Sequence, residues 1–230
     1  DPASVASAVR DVAPDVVVNC AAYTAVDDAE DHEAAAAAIN GEGVANIARA
    51  CPEARLVQIS TDYVFDGTAA SPYAEDATPA PRSAYGRTKL AGERAALSHP
   101  HSYVLRTAWL YGAHGQNFVK TMLRLMHEKE SLTVVNDQFG NPTWTEDLSR
   151  AILKILETND HYGFYHFTGE GITTWHDFTE EIQNQAFELG LVMRKIPVAG
   201  VSSDKFPSAA KRPAWSALSK DKIKATFGVT

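Results

Sequence analysis

Arg55-Leu56-Val57-Gln58-Ile59-Ser60 is a short, largely apolar run that is followed directly by Thr61-Asp62. Four to eight mostly apolar residues that end at a polar turn are typical of a buried strand in a parallel sheet. The run therefore predicts a strand over residues 55–60, with Thr61 just beyond its carboxyl end. Open α/β sheets bind their ligands at that edge, so we expect a ligand site beside Thr61.

Similar apolar runs alternate with helix-period segments on both sides of this strand. Predicted strands cover residues 15–20, 55–60, 103–107 and 132–135, and predicted helices cover residues 33–50, 83–97 and 116–129. Strands and helices in alternation favour an α/β fold with a Rossmann-like, doubly wound parallel sheet.

The pattern changes after residue 135. A proline-containing loop is followed by a predicted helix over residues 146–157, an aromatic strand over 163–167 and a helix over 175–189. This second half predicts a smaller C-terminal α/β lobe over residues 136–230 that is interleaved with the domain formed by residues 1–135.

Tyr85-Gly86-Arg87-Thr88-Lys89 places a phenol and an ammonium four residues apart, with Ser83 as a helix N-cap. Residues at i and i+4 share one face of a helix. A nearby ammonium stabilises phenolate and lowers the pKa of tyrosine from about 10, so Tyr85 could donate a proton to a substrate oxygen that Thr61 also holds. Alone, such a pair is more often a solvated helix face; its position after the Thr61 strand favours catalysis.

Composition narrows the class of protein. The 230 residues are 45% hydrophobic and carry a net charge of −8, which disfavours nucleic acid and anionic membranes as partners. The two cysteines, Cys20 and Cys51, offer no disulfide framework, and Cys20 is predicted to be a small buried residue. The chain contains no apolar run of the length that spans a membrane. We therefore expect a cytoplasmic enzyme.

The motif-bearing segments together carry a family resemblance over nearly the whole chain. They occur in family order at residues 14–27, 60–67, 85–93, 106–112 and 136–143. The chain resembles the extended short-chain dehydrogenase/reductase superfamily and, within it, the dTDP-4-dehydrorhamnose reductase family. The Ala21-Ala22-Tyr23-Thr24 turn and the segment over 137–143 point to these reductases in particular.

The resemblance implies an activity: reduction of dTDP-4-dehydro-L-rhamnose to dTDP-L-rhamnose by hydride transfer from NADPH or NADH, in dTDP-rhamnose biosynthesis. It makes residues 1–135 a partial NAD(P)-binding Rossmann domain and residues 136–230 mainly a substrate-binding lobe. Nucleotide-sugar epimerases and dehydratases share the Tyr-Lys pair and are one alternative. Another is a non-catalytic subunit like the regulatory subunit of methionine adenosyltransferase.

The resemblance also assigns roles to the residues after the strand ends. Tyr85, Lys89 and Thr61 would be the catalytic residues, with Tyr85 and Lys89 also contacting the cofactor. The sugar would contact Thr61, Asp62 and Trp109. The cofactor would lie along the turn formed by Ala21, Ala22, Tyr23 and Thr24.

Three further positions match the family by resemblance. Asn40 corresponds to a residue that supports the active-site backbone, although it could equally bond within its own helix. Arg212 lies in a segment expected near the nucleotide. Glu146 matches a carboxylate that joins a magnesium site at a homodimer interface in some relatives; we prefer it as an acid favoured at a helix N-terminus.

One family feature is missing from the sequence. No Gly-x-x-Gly-x-x-Gly turn, which would hold the cofactor pyrophosphate at a helix N-terminus, occurs in the chain. We therefore expect a fragment or a chain whose first strands are supplied elsewhere, with residues 15–20 as an exposed sheet edge. Low or absent activity is expected of this chain alone.

Overall fold

The structure is a computed structural model that describes residues 1–229. Its centre is a four-stranded parallel sheet in the order β1-β2-β3-β8. The strands are β1 (Val16–Asn19), β2 (Arg55–Thr61), β3 (Ser102–Thr107), β4 (Leu110–Tyr111), β5 (Leu132–Val135), β6 (Phe139–Gly140), β7 (Thr143–Trp144), β8 (Gly163–His166), β9 (Thr173–Thr174) and β10 (Val198–Val201). The α-helices are α1 (Pro2–Val12), α2 (Asp28–Asp31), α3 (Glu33–Ala37), α4 (Gly43–Ala50), α5 (Ala84–Leu97), α6 (Phe118–Glu128), α7 (Thr145–Ile155), α8 (Trp175–Glu188) and α9 (Asp221–Phe227).

Helices cover both faces of this central sheet because its buried strands are apolar on both sides. Leu56 and Val104 pack with α4 and α5 on one face. Val57 and Leu105, their neighbours along the strands, pack with α7 and α9 on the other face. The predicted doubly wound parallel α/β sheet is therefore confirmed.

Most predicted elements are found within a few residues of their predicted ends. Helix α5 begins after Ser83, whose hydroxyl accepts a hydrogen bond from the Gly86 N–H at 3.1 Å, as the N-cap prediction requires. Strand β1 pairs with β2 alone among the described strands. It lies at the edge of the sheet as predicted, and the Val18 side chain is 40% exposed there.

The predicted strand over residues 132–135 exists, but its expected place beside the other strands of the first half is wrong. Strand β5 pairs with β10 in a separate two-stranded sheet. Its Leu132 and Val134 pack against Met122 and Ile182, which belong to α6 and α8. Conversely, β8 from the second half joins the central sheet, so the two halves are interleaved.

The predicted helix over residues 33–50 is one helical run with a π-helical turn, Ala38–Glu42, between α3 and α4. Such wide turns occur mostly at functional sites. Here the turn presents Asn40 to the neighbouring helix α5, where Gly92 allows the two backbones to approach closely. A Cβ atom at position 92 would lie 2.0 Å from the Asn40 carbonyl oxygen.

None of the helices within residues 1–229 is both long enough and apolar enough to cross a membrane.

We predict that Gly92→Ala lowers the free energy of unfolding by about 2 kcal/mol or more, because a backbone oxygen cannot move aside for the added methyl group. Gly43→Ala is the control, since a Cβ there would make an ordinary 3.5 Å contact with Ala38 O. Chemical denaturation of both variants tests the prediction. Equal stability of Gly92→Ala and the wild type would contradict the close packing.

Candidate active site

The carboxyl ends of β1, β2 and β3 and the first turns of α5 form one cleft. Helix α5 comes close to the segment after β2 because residue 86 is a glycine. A Cβ atom there would lie 2.2 Å from Tyr63 O and 2.9 Å from the Pro81 Cβ atom. Gly86 therefore lets the helix turn that carries Tyr85 pack directly against the end of β2.

Thr61 is buried at the end of β2, with an exposed fraction of 5%. Its hydroxyl accepts a hydrogen bond from the Tyr63 N–H at 3.1 Å and donates one to the Asp62 carboxylate at 3.0 Å. The same hydroxyl lies beside the phenol of Tyr85 and partly offsets the effect of burial on the pKa of that phenol. The structure thus brings Thr61 and Tyr85 together, as the sequence predicted.

The pKa of Tyr85 is raised, whereas the sequence led us to expect that it would be lowered. Burial raises the pKa of Tyr85 to about 12, and the charge of Asp62 adds to this. The predicted lowering by Lys89 is wrong for the protein without cofactor, because the Lys89 ammonium is directed at the backbone of β2 and burial dominates. Tyr85 therefore keeps its proton at neutral pH.

Lys89 is 5% exposed, and its ammonium donates a hydrogen bond to the Ile59 carbonyl oxygen at 2.6 Å. Burial lowers the pKa of Lys89 to about 8, while Glu93 and Cys20 act in the opposite direction. Cys20 follows β1 and Ile59 belongs to β2, so the ammonium lies between these two strands near their carboxyl ends.

The turn over residues 21–24 follows β1 and is held by two asparagines. Asn40 binds both backbone groups of Tyr23, accepting from its N–H at 2.8 Å and donating to its carbonyl oxygen at 3.2 Å. Asn40 also donates to the Thr88 hydroxyl at 3.1 Å. Asn19 accepts from the Ala21 N–H at 3.2 Å. Asn40 therefore supports the backbone of this turn, and its side chain does not bond within its own helix.

Side chains of this turn face the open side of the cleft. Ala21 and Thr24 are exposed, Ala22 is half-buried, and the Tyr23 hydroxyl donates to the Asp28 carboxylate, which raises the pKa of Tyr23. The prediction that Cys20 is buried is wrong. Cys20 is exposed because it lies beyond the last residue of β1, at the open edge of the sheet.

Asp62 is a buried carboxylate with an incomplete set of partners. It is 2% exposed, and its Oδ2 atom makes no hydrogen bond to any residue within 1–229. Burial raises the pKa of Asp62 to about 6, although the hydroxyls of Ser216 and Thr61 oppose the shift. An unpaired buried acceptor that costs stability is typical of a ligand-binding group.

Trp109 follows β3 and has a left-handed backbone with φ of 49°. Its ring stacks on Trp175, with the ring centroids 3.5 Å apart and the planes 8° from parallel. Gly140 touches the same ring system, because a Cβ there would lie 2.7 Å from the indole. Strained backbone of this kind is concentrated at functional sites. Trp175, at the start of α8, was not predicted as a site residue.

A pocket of about 710 Å³ has Asp27 and Arg212 among its lining residues, but not Thr61, Tyr85 or Lys89. Its apolar walls include Phe118, Val134 and Trp175, and the segment over residues 203–212 covers it. This volume is within the range of small-molecule sites.

Arg212 and Asp27 form an ion pair on the wall of this pocket, with Arg212 Nη2 and Asp27 Oδ2 2.6 Å apart. The guanidinium also lies beside the Tyr63 hydroxyl. The Tyr63 ring in turn meets the Tyr85 ring edge to face, with centroids 5.8 Å apart. Tyr63 therefore connects the pocket to the Thr61 and Tyr85 hydroxyls. Arg212 was expected near a nucleotide, whereas nothing in the sequence indicated Asp27 as its partner.

Glu146 lies away from this cleft in the first turn of α7. Its carboxylate is half exposed and pairs with Arg150 at 2.5 Å, one helical turn further on. Within residues 1–229, the only group of three side chains close enough together to share a metal ion is His176, Asp177 and Glu180 on α8, and it does not include Glu146.

This fold and site define the short-chain dehydrogenase/reductase class. A buried threonine ends a strand at the carboxyl edge of a parallel α/β sheet, and the helix beside that edge carries a tyrosine and, four residues later, a lysine. Comparison with known proteins narrows this class. The chain belongs to the RmlD substrate binding domain family, whose model matches residues 1–230. The resemblance inferred from the sequence motifs is therefore confirmed.

Named relatives agree with this assignment. A dTDP-4-dehydrorhamnose reductase of Sinorhizobium fredii is 42% identical over 98% of this chain and 79% of its own length. A probable dTDP-4,6-dihydroxy-2-methyloxan-3-one 4-ketoreductase of Streptomyces antibioticus is 46% identical over 98% of this chain and 76% of its own length.

Solved structures give the same result. The crystal structure of a dTDP-4-dehydrorhamnose reductase from Bacillus anthracis in complex with NADP has a TM-score of 0.92 and 39% identity, over 98% of this chain and 79% of that one. A dTDP-glucose 4,6-dehydratase from Streptomyces venezuelae is 20% identical with a TM-score of 0.80, which shows a shared fold only.

The raised pKa of Asp62 predicts a pH-dependent stability. Because the folded-state pKa of about 6 exceeds the ordinary value of 3.8, Asp62 stabilises the fold fully below pH 3.8. This contribution is lost as the pH rises through 6. Asp62→Asn should therefore gain about 2 kcal/mol of unfolding free energy relative to wild type between pH 4 and pH 8, since one pKa unit corresponds to about 1.4 kcal/mol and the unfolded carboxyl is already partly ionised at pH 4.

Asp66→Asn is the matched control for the Asp62 experiment. Hydrogen bonds from Thr68 and Tyr73 lower the pKa of Asp66 below 3.8, so its contribution to stability is lost only as the pH falls below that value, and its replacement should have about the same effect at pH 4 and pH 8. Denaturation curves at both pH values should therefore show a pH-dependent gain for Asp62→Asn alone. The same pH trend in both variants would rule out a special environment at Asp62.

Proposed function

We propose that this chain carries the proton-donating and substrate-binding parts of a dTDP-4-dehydrorhamnose reductase. Such an enzyme reduces the C4 ketone of dTDP-4-dehydro-L-rhamnose to the hydroxyl of dTDP-L-rhamnose with NADPH or NADH. The observation that carries the proposal is that the Thr61 hydroxyl and the Tyr85 phenol lie together at the end of β2, with Lys89 one helical turn further along α5. Family membership and the names of the relatives support the reaction.

Tyr85 is the proton donor in this proposal. Its raised pKa, about 12, means that the phenol is protonated at neutral pH and is ready to donate. The ketone oxygen would accept hydrogen bonds from both Tyr85 and Thr61, and the Tyr85 proton would pass to it as negative charge develops there. Bound NAD(P)H supplies the hydride that the carbonyl carbon receives.

Lys89 and the turn over residues 21–24 are the groups that would hold this cofactor. The ammonium of Lys89 lies at the cleft between β1 and β2, where it could donate to ribose hydroxyls in place of Ile59 O. The exposed Ala21 and half-buried Ala22 leave the backbone of the turn accessible, and Asn40 keeps that backbone in place. These donors and this small-residue surface fit a nicotinamide nucleoside.

The sugar and the nucleotide would occupy the other side of the cleft. The unpaired Oδ2 of Asp62 is an acceptor for a sugar hydroxyl. Trp109, rigidly stacked on Trp175, would form an apolar wall against the sugar ring. Arg212 would bind the diphosphate in exchange for Asp27, because a guanidinium pairs with phosphate as well as with carboxylate.

Other expectations from the resemblance stay predictions. They are the division into a cofactor-binding part over residues 1–135 and a substrate-binding part over 136–230, a homodimer, a cytoplasmic location, a magnesium ion at Glu146, and the choice between NADPH and NADH. Size-exclusion chromatography, magnesium titration and parallel assays with both cofactors test three of these.

We predict that Tyr85→Phe reduces turnover by about 10²-fold to 10⁴-fold, because the general acid is lost while the ring remains. The measurement is NADPH oxidation with dTDP-4-dehydrorhamnose, on this chain and on a version extended at its N-terminus. Binding of NADPH should be nearly unchanged. Tyr165→Phe is the control, since its hydroxyl bonds to His161 O outside the cleft. Near-normal turnover of Tyr85→Phe would reject Tyr85 as the donor.

We predict that Arg212→Ala weakens the binding of dTDP by tenfold or more, measured by calorimetry without cofactor or turnover. A lost charged hydrogen bond to an anion costs roughly 1.5–3 kcal/mol. Asp27→Asn should instead strengthen binding, since the diphosphate no longer competes with a carboxylate for the guanidinium. Arg194→Ala, which breaks an exposed ion pair with Glu130, is the control. Unchanged affinity in Arg212→Ala would exclude this arginine from the nucleotide site.

A further inference from the structure

Glu93 and Arg106 form an ion pair in the interior of the protein. The Glu93 and Arg106 side chains are 0% and 1% exposed, and the guanidinium Nε and Nη2 atoms each lie 2.8 Å from a carboxylate oxygen. The Ser60 hydroxyl donates a third hydrogen bond to the Glu93 carboxylate at 2.6 Å. Every contact of this carboxylate therefore comes from β2 or β3, while Glu93 itself belongs to α5.

These three elements are the ones that carry the site. Ser60 directly precedes Thr61 on β2, and Arg106 lies three residues before Trp109 after β3. Glu93 is one helical turn beyond Lys89, which is itself one turn beyond Tyr85, so the three share a face of α5. The ion pair thus lies on the same three elements as the cleft residues: one residue before Thr61 on β2, one helical turn beyond Lys89 on α5, and just before the end of β3.

Stability alone does not explain a pair of charges at this depth. Removing two ions from water costs about as much as their attraction returns, and apolar replacements are often as stable. The guanidinium is further enclosed by the rings of Phe65 and Phe164, with ring centroids 5.0 Å and 4.5 Å away. His166 Nε2 lies 3.4 Å from Arg106 Nη1, and burial lowers the pKa of His166 to about 3. The imidazole is therefore neutral and adds no second positive charge beside Arg106, whose ion pair among residues 1–229 is the one with Glu93.

We propose that Glu93, fixed by Arg106 and Ser60, is a positioning residue for the reduction: it sets the position of α5 against β2 and β3, and its negative charge keeps the buried Lys89 ammonium charged. This inference rests on the proposed function for its catalytic meaning. Its electrostatic part concerns Lys89 in the protein itself and can be tested without turnover.

Glu93 is the carboxylate near Lys89 whose negative charge can stabilise the ammonium, as the other groups around it show. Cys20 faces the ammonium from the end of β1, and β2 contributes the Ile59 carbonyl, which carries no net charge. Tyr85 lies on the same helix face and is neutral. Arg106, on β3, is positive, and its charge is paired with the Glu93 carboxylate. Glu93 is therefore the carboxylate that opposes the effect of burial on Lys89.

The test is Glu93→Gln, which keeps the shape of the side chain and removes its charge. The pKa of Lys89 is followed in the whole chain by NMR of ¹³Cε-labelled lysine, with the signal assigned by Lys89→Arg. We expect this pKa to fall from about 8 by about 1 or more, as for the loss of an adjacent opposite charge. The alkaline limb of the pH profile of kcat should move down by about the same amount, because Lys89 must be protonated to hold the ribose.

Two further variants separate positioning from folding. Glu93→Asp keeps the charge but shortens the side chain, so we expect kcat to fall about tenfold or more while Lys89 still titrates near 8. If Glu93→Gln does not fold, Glu93→Asp still tests the positioning role. Tyr103→Phe, which removes a hydrogen bond to Asp160 O on the other face of β3, controls for a general loss of stability. It should leave the pKa of Lys89 unchanged.

The outcomes distinguish this inference from the proposed function. A Lys89 pKa that is the same in wild type and folded Glu93→Gln overturns the electrostatic role, and normal kcat in Glu93→Asp overturns the positioning role. A shifted Lys89 pKa without reduction of the ketosugar by the N-terminally extended version, in which the kcat values are measured, would support Glu93 and reject the proposed reaction.

Discussion

The close packing of α5 against β2 and the π-helical turn is the constraint on which the cleft depends. Gly86 and Gly92 have no room for a side chain, because Tyr63 O and Asn40 O lie where a Cβ atom would be. The Glu93–Arg106 ion pair joins the same helix to β3 from behind. Together these contacts determine where the Tyr85 phenol and the Lys89 ammonium lie relative to Thr61. A shift of one helical turn would separate them.

Burial is the dominant electrostatic influence in the cleft. It raises the pKa of Tyr85 to about 12 and that of Asp62 to about 6, and it lowers the pKa of Lys89 to about 8. All three shifts favour the neutral form. A neutral phenol suits a proton donor, whereas the ammonium needs a negative neighbour to remain charged. The same low-dielectric surroundings explain the protonated Tyr85, and the role proposed for Glu93 is to oppose their effect on Lys89.

The central strands and the helix with its Ser83 cap could be predicted because local signals determine them. A short apolar run, a capping hydroxyl and i, i+4 spacing are readable over a few residues. Leu132–Val135 was predicted as a strand for the same reason, but its partner could not be: β5 pairs with β10, more than sixty residues away, rather than with the central sheet. Cys20 was predicted to be buried because it ends the apolar run, whereas β1 ends at Asn19 and Cys20 lies beyond it at the open edge of the sheet.

The sequence by itself determined the fold class, through its periodicity, and the family, through the resemblance of its motifs, and it predicted Thr61, Tyr85 and Lys89 as site residues. Only the tertiary structure decided that Trp109 stacks on Trp175 and that Arg212 pairs with a carboxylate 185 positions earlier in the chain. It also decided the direction of the Tyr85 pKa. The physical reason is that desolvation and long-range contacts depend on packing in three dimensions, which no local pattern records.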